Sequence, residues 1–276
     1  MMAQRSILIT GCSSGIGLAS AREMRARGWR VFATARKPQD ITRLKDEDGV
    51  ESLYLDYSEP HSIAAAASHV LAATDGRLDA LFNNGAFGQP GALEDLKPGV
   101  LRAQFEANVF GWHDLTARLI PAMRARRQGR IVFCSSVLGR VAAPYRGAYC
   151  ASKFAVEALG DVLRIELAGT GIHVVLIEPG PIRSRFLEHA LEAYRRHIDL
   201  EGSVHRDVYR QRVSHLEAGG DLAFKLGPEA VVARLVRALE SRKPKPRYYV
   251  TVPAYAAALL RRVLPTRAMD ALAARN

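Results

Sequence analysis

Tyr149 and Lys153 stand four positions apart in Tyr149-Cys150-Ala151-Ser152-Lys153, a stretch that reads as the start of a helix. At that spacing two side chains share one helix face. A free phenol, with a pKa of about 10, is a poor proton carrier at neutral pH. A nearby ammonium favours the phenolate, and carbonyl–alcohol proton transfer needs that shift. The pair alone is common by chance. Ser135 and Ser136 strengthen it, because they close the preceding apolar run and Ser136 lies 13 positions before Tyr149. A hydroxyl there can hydrogen-bond and polarise a substrate carbonyl. Either serine is a candidate for that role.

A second chemical feature sits near the start of the chain. The first apolar run ends in Thr10-Gly11-Cys12-Ser13-Ser14-Gly15-Ile16-Gly17, and a helical stretch follows. Glycines at 11, 15 and 17 permit a tight turn and close backbone approach to a pyrophosphate. The N–H groups and dipole of a helix start suit that charge. The G-x-x-x-G-x-G spacing differs from the G-x-G-x-x-G fingerprint, and no Lys-Ser/Thr follows to make a P-loop. The second apolar run ends in Thr34-Ala35-Arg36-Lys37. The carboxylate that would hold a ribose 2′-hydroxyl is missing there, and two cations replace it. A guanidinium pairs bidentately with a 2′-phosphate, so Arg36 and Lys37 predict NADP(H) in preference to NAD(H).

These residues need elements to position them. Strand-like runs occur at 6–10, 30–34, 52–55, 78–82, 130–134, 173–177 and 248–252. They are nearly continuous in apolar residues, as expected of strands covered on both faces. Helical stretches fall at 15–28, 60–74, 98–127, 149–169 and 228–241. The alternation predicts an α/β fold, a doubly wound parallel sheet of about seven strands with helices on both faces. No Pro/Gly-rich linker interrupts 1–276, so the expectation is one domain. Residues 184–226 are polar and weakly helical, and read as an insertion. Its histidines, His189, His197, His205 and His215, are expected on solvated helix faces.

Composition narrows the partners. The chain has 276 residues, 48% hydrophobic and 24% charged, with a formal charge of +11. That is too apolar for disorder and long enough for a sizeable core. The charge suggests an anionic partner. No basic surface interleaved with aromatics marks a nucleic-acid binder. Residues 242–276 hold eight Lys/Arg and one acid, so +7 of the +11 lies in the tail. Within the extension 253–276, Tyr255 to Leu264 read as an apolar helix with basic residues, stopped at Pro265. Packing on this or a neighbouring subunit is the expectation, and peripheral membrane contact the alternative. Cys12, Cys134 and Cys150 fit neither a disulfide framework nor a zinc pattern, and are expected as small buried groups. No metal site is expected. The chain shows no signal-peptide pattern and no apolar run long enough to span a bilayer, so a reducing cytoplasmic setting is expected.

Taken together, the motifs resemble the short-chain dehydrogenase/reductase family of single-domain Rossmann-fold enzymes, over roughly 5–252. Residues 10–17 match its glycine motif. The resemblance places Asp56 near the adenine and makes Asn83-Asn84-Gly85-Ala86 its N-N-A-G segment with the last two residues exchanged. It selects Ser136 over Ser135, and assigns Asn108, Ser136, Tyr149 and Lys153 as the catalytic set. The Pro179-Gly180-Pro181-Ile182-Arg183-Ser184 segment also matches, with Ile182 facing the carboxamide and Ser184 replacing the usual Thr. The implied cofactor set is therefore Gly11, Ser13, Ser14, Gly15, Ile16, Gly17, Arg36, Lys37, Asp56, Asn84, Gly85, Tyr149, Lys153, Pro179, Gly180, Ile182 and Ser184. The implied mechanism is hydride transfer from NADPH to a carbonyl, with Tyr149 protonating the oxygen and Ser136 holding it. Lys153 lowers the Tyr149 pKa and binds the ribose. Asn108 holds a water that relays protons to Lys153. A homodimer or homotetramer is implied as well.

The substrate pocket is expected from Phe87, Val137, Leu138, Tyr145, Pro181 and Phe186. Apart from Arg183 and Arg185 these positions carry no cation, which favours an apolar aldehyde or ketone over an acid. The form of the Tyr149, Pro179 and Gly227 segments, and of the tail around Leu260, resembles a narrower branch. That branch contains bacterial NADPH-dependent aldehyde reductases related to retinol and 17β-hydroxysteroid dehydrogenases. A non-catalytic NADP(H) sensor is the competing reading, and it would usually have lost Tyr149 or Lys153.

Overall fold

The computed structural model describes residues 4–217 and 224–274. The part of the expected insertion at 218–223, Arg275 of the basic tail and residues 1–3 lie outside the described residues, as does the side chain of His215. In chain order the elements are β1 (Ser6–Ile9), α1 (Gly15–Ala26), β2 (Arg30–Ala35), α2 (Pro38–Asp46), β3 (Glu51–Tyr54), α3 (Pro60–Ala73) and β4 (Ala80–Asn83). Next come α4 (Pro98–Phe105), α5 (Gly111–Ala125), β5 (Gly129–Cys134), α6 (Gly147–Glu166) and β6 (Ile172–Glu178). The chain closes with α7 (Phe186–His197), α8 (Arg206–Glu217), α9 (Glu229–Glu240), β7 (Arg247–Tyr249), α10 (Val252–Val263) and α11 (Thr266–Ala273).

All seven strands are parallel, in the order β3-β2-β1-β4-β5-β6-β7. The central strands supply the core: Ile7, Leu8 and Ile9 of β1 and Ala80, Leu81 and Phe82 of β4 are fully buried. Chain direction across the sheet reverses between β1 and β4. Such a switch point opens a crevice at the carboxyl ends of the strands, where ligands of this architecture bind.

Three features differ from the sequence reading. Helix α2 was not expected; it opens with Pro38 at its first position and buries only Leu44 fully, so its apolar stripe is short. The long helix expected over 98–127 is broken into α4 and α5 by a π turn at Glu106–Phe110, centred on Asn108. Two insertion histidines are half-buried and hydrogen-bonded rather than lying free on a helix face. Nδ1 of His197 lies 2.8 Å from Gln89 Oε1, and Nε2 of His205 lies 2.6 Å from Glu94 Oε1. The insertion has a small core of its own, in which Tyr194, Ile198 and Tyr209 pack with Tyr145.

The basic tail also splits. Arg247 enters a buried ionic cluster at the β6–β7 edge. It meets Glu178 at 3.1 Å, Glu157 at 3.1 Å and Asp161 at 2.6 Å, while Arg140 meets Glu178 at 3.2 Å. Glu178 is 1% exposed. Burial first, then Glu157, pushes its carboxyl up to about 7. Removing one partner of a buried pair leaves an uncompensated charge, at a cost of about 3–5 kcal/mol. Arg247→Met is therefore expected to lower Tm by roughly 10 °C in a thermal melt; an unchanged Tm would show that the cluster contributes nothing.

Candidate active site

The phosphate loop leaves β1 at Thr10. Gly11 and Gly15 adopt left-handed φ values of +68° and +57°. The loop is pinned from three sides. Cys12 N donates to Thr34 O of β2 at 2.8 Å, and Asn84 Nδ2 donates to Thr10 O at 3.0 Å. From α2, Arg43 donates to Ser13 O at 2.6 Å. Thr10 Oγ1 accepts from the N–H groups of both Asn84 and Gly85, at 2.9 and 3.1 Å, and lies 2.8 Å from the Tyr57 hydroxyl. This knot draws the β1 and β4 ends together so tightly that a Cβ on Gly11 would lie 2.5 Å from Gly85 Cα.

The residues fit a dinucleotide. Ser14 makes no side-chain cap at the start of α1, and the first turn holds no acid, so its N–H groups would meet a bound anion unopposed. A Cβ on Gly15 would lie 2.9 Å from Ser184 Cβ, so Ser184 of the Pro179–Ser184 segment borders the loop directly. That segment is fixed by Val137 N donating to Pro179 O at 2.7 Å and by Gly180 pressing on Thr251; Ile182 bridges Leu226. Beyond β2, Arg36 is exposed and 3.7 Å from Asp56, the residue expected near the adenine; Lys37 is exposed at the start of α2.

At the other end of the crevice, α6 brings Tyr149 and Lys153 to one face. Lys153 is 1% exposed. Its Nζ donates to Cys134 O at 2.8 Å and lies 4.3 Å from the centre of the Trp112 ring. Trp112 Nε1 in turn donates to Gly85 O at 2.8 Å. Burial pulls the Lys153 ammonium down to about 8 and pushes the Tyr149 phenol above its ordinary value. A hydrogen bond with Ser136 opposes the Tyr149 shift. Ser136 Oγ accepts from Leu138 N at 3.1 Å, which leaves its proton free to be donated. Ser135 Oγ is buried without a partner, against Gly139. Of the two serines, Ser136 and not Ser135 is the one that acts on the Tyr149 phenol.

Asn108 is fully buried, and its side chain is committed. Nδ2 donates to Phe87 O at 2.9 Å and to Ser152 Oγ at 3.2 Å, while Oδ1 accepts from Phe87 N at 3.2 Å. It clamps the Phe87 backbone to α6 through the π turn, a distortion often found at functional sites. Phe186 packs edge-on against Tyr149, ring centres 5.3 Å apart. Gly88 lies behind both, since a Cβ there would reach 2.7 Å from Phe186 and 3.5 Å from Tyr149. Val137 and Leu138 follow Ser136 in a 3-10 turn, partly exposed. Tyr145 turns into the insertion's own core, its hydroxyl 3.4 Å from His205 Nδ1. Sequence reasoning missed Tyr57, Gly88 and Trp112. Only Trp112 left a signal, four positions after Asn108 on the same helical stretch. The three cysteines are buried and free, as expected.

Comparison with known proteins agrees with this geometry. The family model described as short chain dehydrogenase matches residues 5–195. The chain belongs to the short-chain dehydrogenase family. Among its relatives is the uncharacterized oxidoreductase YbbO of Escherichia coli strain K12, 46% identical over 97% of this chain and 93% of that protein. Human 17-beta-hydroxysteroid dehydrogenase type 1 is 34% identical over 91% of this chain and 78% of its own length. A short-chain dehydrogenase from Streptomyces avermitilis superposes with a TM-score of 0.76 at 30% identity, covering 99% of this chain and 95% of that one. As a family member the chain is an oxidoreductase that acts on alcohols or carbonyls with a nicotinamide cofactor. Among the described residues, no helix is long and apolar enough to cross a membrane.

The buried lysine sets a stability test. A lysine whose folded pKa falls from 10.5 to about 8 destabilises the fold fully below pH 8, and the cost fades as pH rises towards 10.5. Cofactor-free Lys153→Met is expected to melt a few degrees above the wild type at neutral pH. That gap should close as the pH is raised through the same window. A variant that melts below the wild type at neutral pH would show that the ammonium is well solvated.

Proposed function

We propose that this chain is an NADP(H)-dependent reductase of an apolar aldehyde or ketone, with Tyr149 as the general acid and base. The observation that carries the reading is the junction of Tyr149 with Ser136 on one side and Lys153 on the same helix face. When bound, the nicotinamide supplies a hydride to the carbonyl carbon. Tyr149 then gives its hydroxyl proton to the carbonyl oxygen, completing the alcohol. Ser136 donates to that oxygen and stabilises the negative charge that gathers there. Lys153, unpaired with any carboxylate among the described residues, keeps a positive charge beside the phenol and offers N–H groups to the cofactor ribose. Asn108 positions Phe87 and the start of the pocket; the proton relay to Lys153 belongs to the same proposal.

Phe87, Val137, Leu138, Pro181 and Phe186 are proposed to enclose the apolar part of the substrate, beneath α7 and α8 acting as a lid. The side chain of Tyr145 holds that lid. Asp56, Asn84, Gly85 and the 179–184 segment are proposed to hold the dinucleotide with the phosphate loop. The cytoplasm is the proposed compartment, supported by three buried thiols. On α10, Val252, Tyr255, Leu259 and Val263 are exposed beside Arg261 and Arg262. That stripe supports contact with a second subunit or a membrane surface.

Tyr149→Phe is expected to bind NADPH with unchanged affinity and to lose turnover by roughly a hundredfold or more. Fluorescence titration and NADPH oxidation across a carbonyl panel measure the two. Retained turnover would remove Tyr149 from proton transfer. Arg36 is proposed to turn from Asp56 to the 2′-phosphate, so Arg36→Asp should move the NADPH-to-NADH ratio of kcat/KM towards NADH by about tenfold or more. An unmoved ratio would place the phosphate elsewhere.

A further inference from the structure

A circuit of buried contacts starts and ends at Tyr149. On α6, Ser152 Oγ donates to Tyr149 O at 2.8 Å and accepts from Asn108 Nδ2 at 3.2 Å. Asn108 also holds Phe87 O, and the same carbonyl accepts from Gln104 Nε2 at 2.8 Å. Gln104 lies one turn before Asn108 and is fully buried. Its Oε1 accepts from Gln89 N at 2.7 Å. Gln89 is itself buried and carries the circuit on to α7, where its Oε1 lies 2.8 Å from His197 Nδ1 and its Nε2 lies 3.5 Å from Ala193 O. At the other end of α7, Phe186 meets the Tyr149 ring.

The Gln89 amide can take one orientation only. Its Nε2 also donates to Pro90 O at 2.8 Å, so Oε1 must accept, and Nδ1 of His197 carries the proton. Next to it Ile198 fills the space over Gly91, where a Cβ would lie 2.7 Å from Ile198 Cδ1. Gly88 is filled in the same way by Phe186, so α7 rests on the 88–91 strip at both of its ends. Within α7 only Ala190, Ala193 and Tyr194 are buried. So little apolar area holds a helix weakly, and a half-buried hydrogen bond at its end counts for more.

We propose that Gln89 and His197 are positioning residues that latch the carboxyl end of α7 and so hold Phe186 against Tyr149, fixing the width of the slot that receives the carbonyl compound. The inference rests on the reductase reading and adds the residues that set how firmly its pocket closes. Both act through Phe186, and Gln104 ties the latch back to the catalytic helix. Opening the latch loosens the substrate's seat and leaves the proton transfer from Tyr149 intact.

The test uses His197→Ala, His197→Asn and, as a control on the exposed face of the same helix, Glu192→Ala. The first arm is amide hydrogen exchange of the cofactor-free protein, read on peptides covering 186–197. His197→Ala is expected to speed exchange in the last turn of α7 by about fivefold, although alanine is the better helix former. Asparagine can present its Nδ2–H where the imidazole presents Nδ1–H, so His197→Asn should restore most of the protection. A favourable charge at the helix end would not be restored by it. Unchanged exchange in His197→Ala, no rescue by asparagine, or equally fast exchange in Glu192→Ala would overturn the latch. The second arm follows NADPH oxidation with octanal. His197→Ala should raise KM by about fivefold with kcat within about twofold, and His197→Asn should return KM towards the wild type. A fall in kcat at unchanged KM would overturn the positioning role. If the wild type oxidises NADPH with no carbonyl compound, the reductase reading alone fails, and fast exchange in His197→Ala rescued by asparagine still supports the latch.

Discussion

A buried ammonium with no carboxylate in ion-pair reach among the described residues organises this molecule. Lys153 donates to the carbonyl of Cys134 and lies over two aromatic rings, those of Trp112 and Tyr149. Glu157, one turn further along α6, acts on it only from a distance, because Glu157 is taken up by Arg247. Pairing Lys153 with an acid would stabilise the fold but would also cancel the positive charge that stands 5.6 Å from the centre of the Tyr149 ring and is proposed to act on its phenol. The chain keeps the charge and places the cost in the core. Three elements meet to hold it: β5 supplies the acceptor carbonyl, α5 the indole, and α6 the lysine. Gly85 ties the indole to the end of β4, so the lysine's position depends on the same strand end that closes the phosphate loop.

The two ends of the crevice are therefore mechanically connected. Thr10 accepts from the backbone at Asn84 and Gly85, Gly85 accepts from Trp112, and Trp112 faces Lys153. A dinucleotide held by the phosphate loop with its nicotinamide near Tyr149 would span this chain of contacts. The exchange of glycine and alanine at positions 85 and 86 falls within it. Gly85 needs to be small, since Gly11 and Tyr57 both approach a Cβ there to within 3.3 Å or less.

Much of this was legible in the sequence where one segment carries the whole signal. The inner strands announce themselves by nearly continuous apolar runs, the edge strands β3 and β7 less so, and the Tyr149–Lys153 pair by its spacing. Helix α2 was not legible, because Ile41 and Leu44 alone make too short a stripe to read. The π turn was hidden because helical residues run on both sides of Asn108, and a phase shift confined to one turn, Glu106–Phe110, is too short to read from the pattern. His197 and His205 looked solvated because their partners, Gln89 and Glu94, lie more than a hundred positions away.

Lys153 and the nicotinamide are proposed together to make Tyr149 a proton carrier that burial alone would prevent. The direct measurement is an NMR titration of Tyr149 with its ring Cζ labelled, in the free protein and with NADP+ bound. The account predicts a phenol that ionises above its ordinary pKa of about 10 in the free protein and falls well below it when the oxidised cofactor is present. A Tyr149 resonance that titrates alike in both states would contradict it.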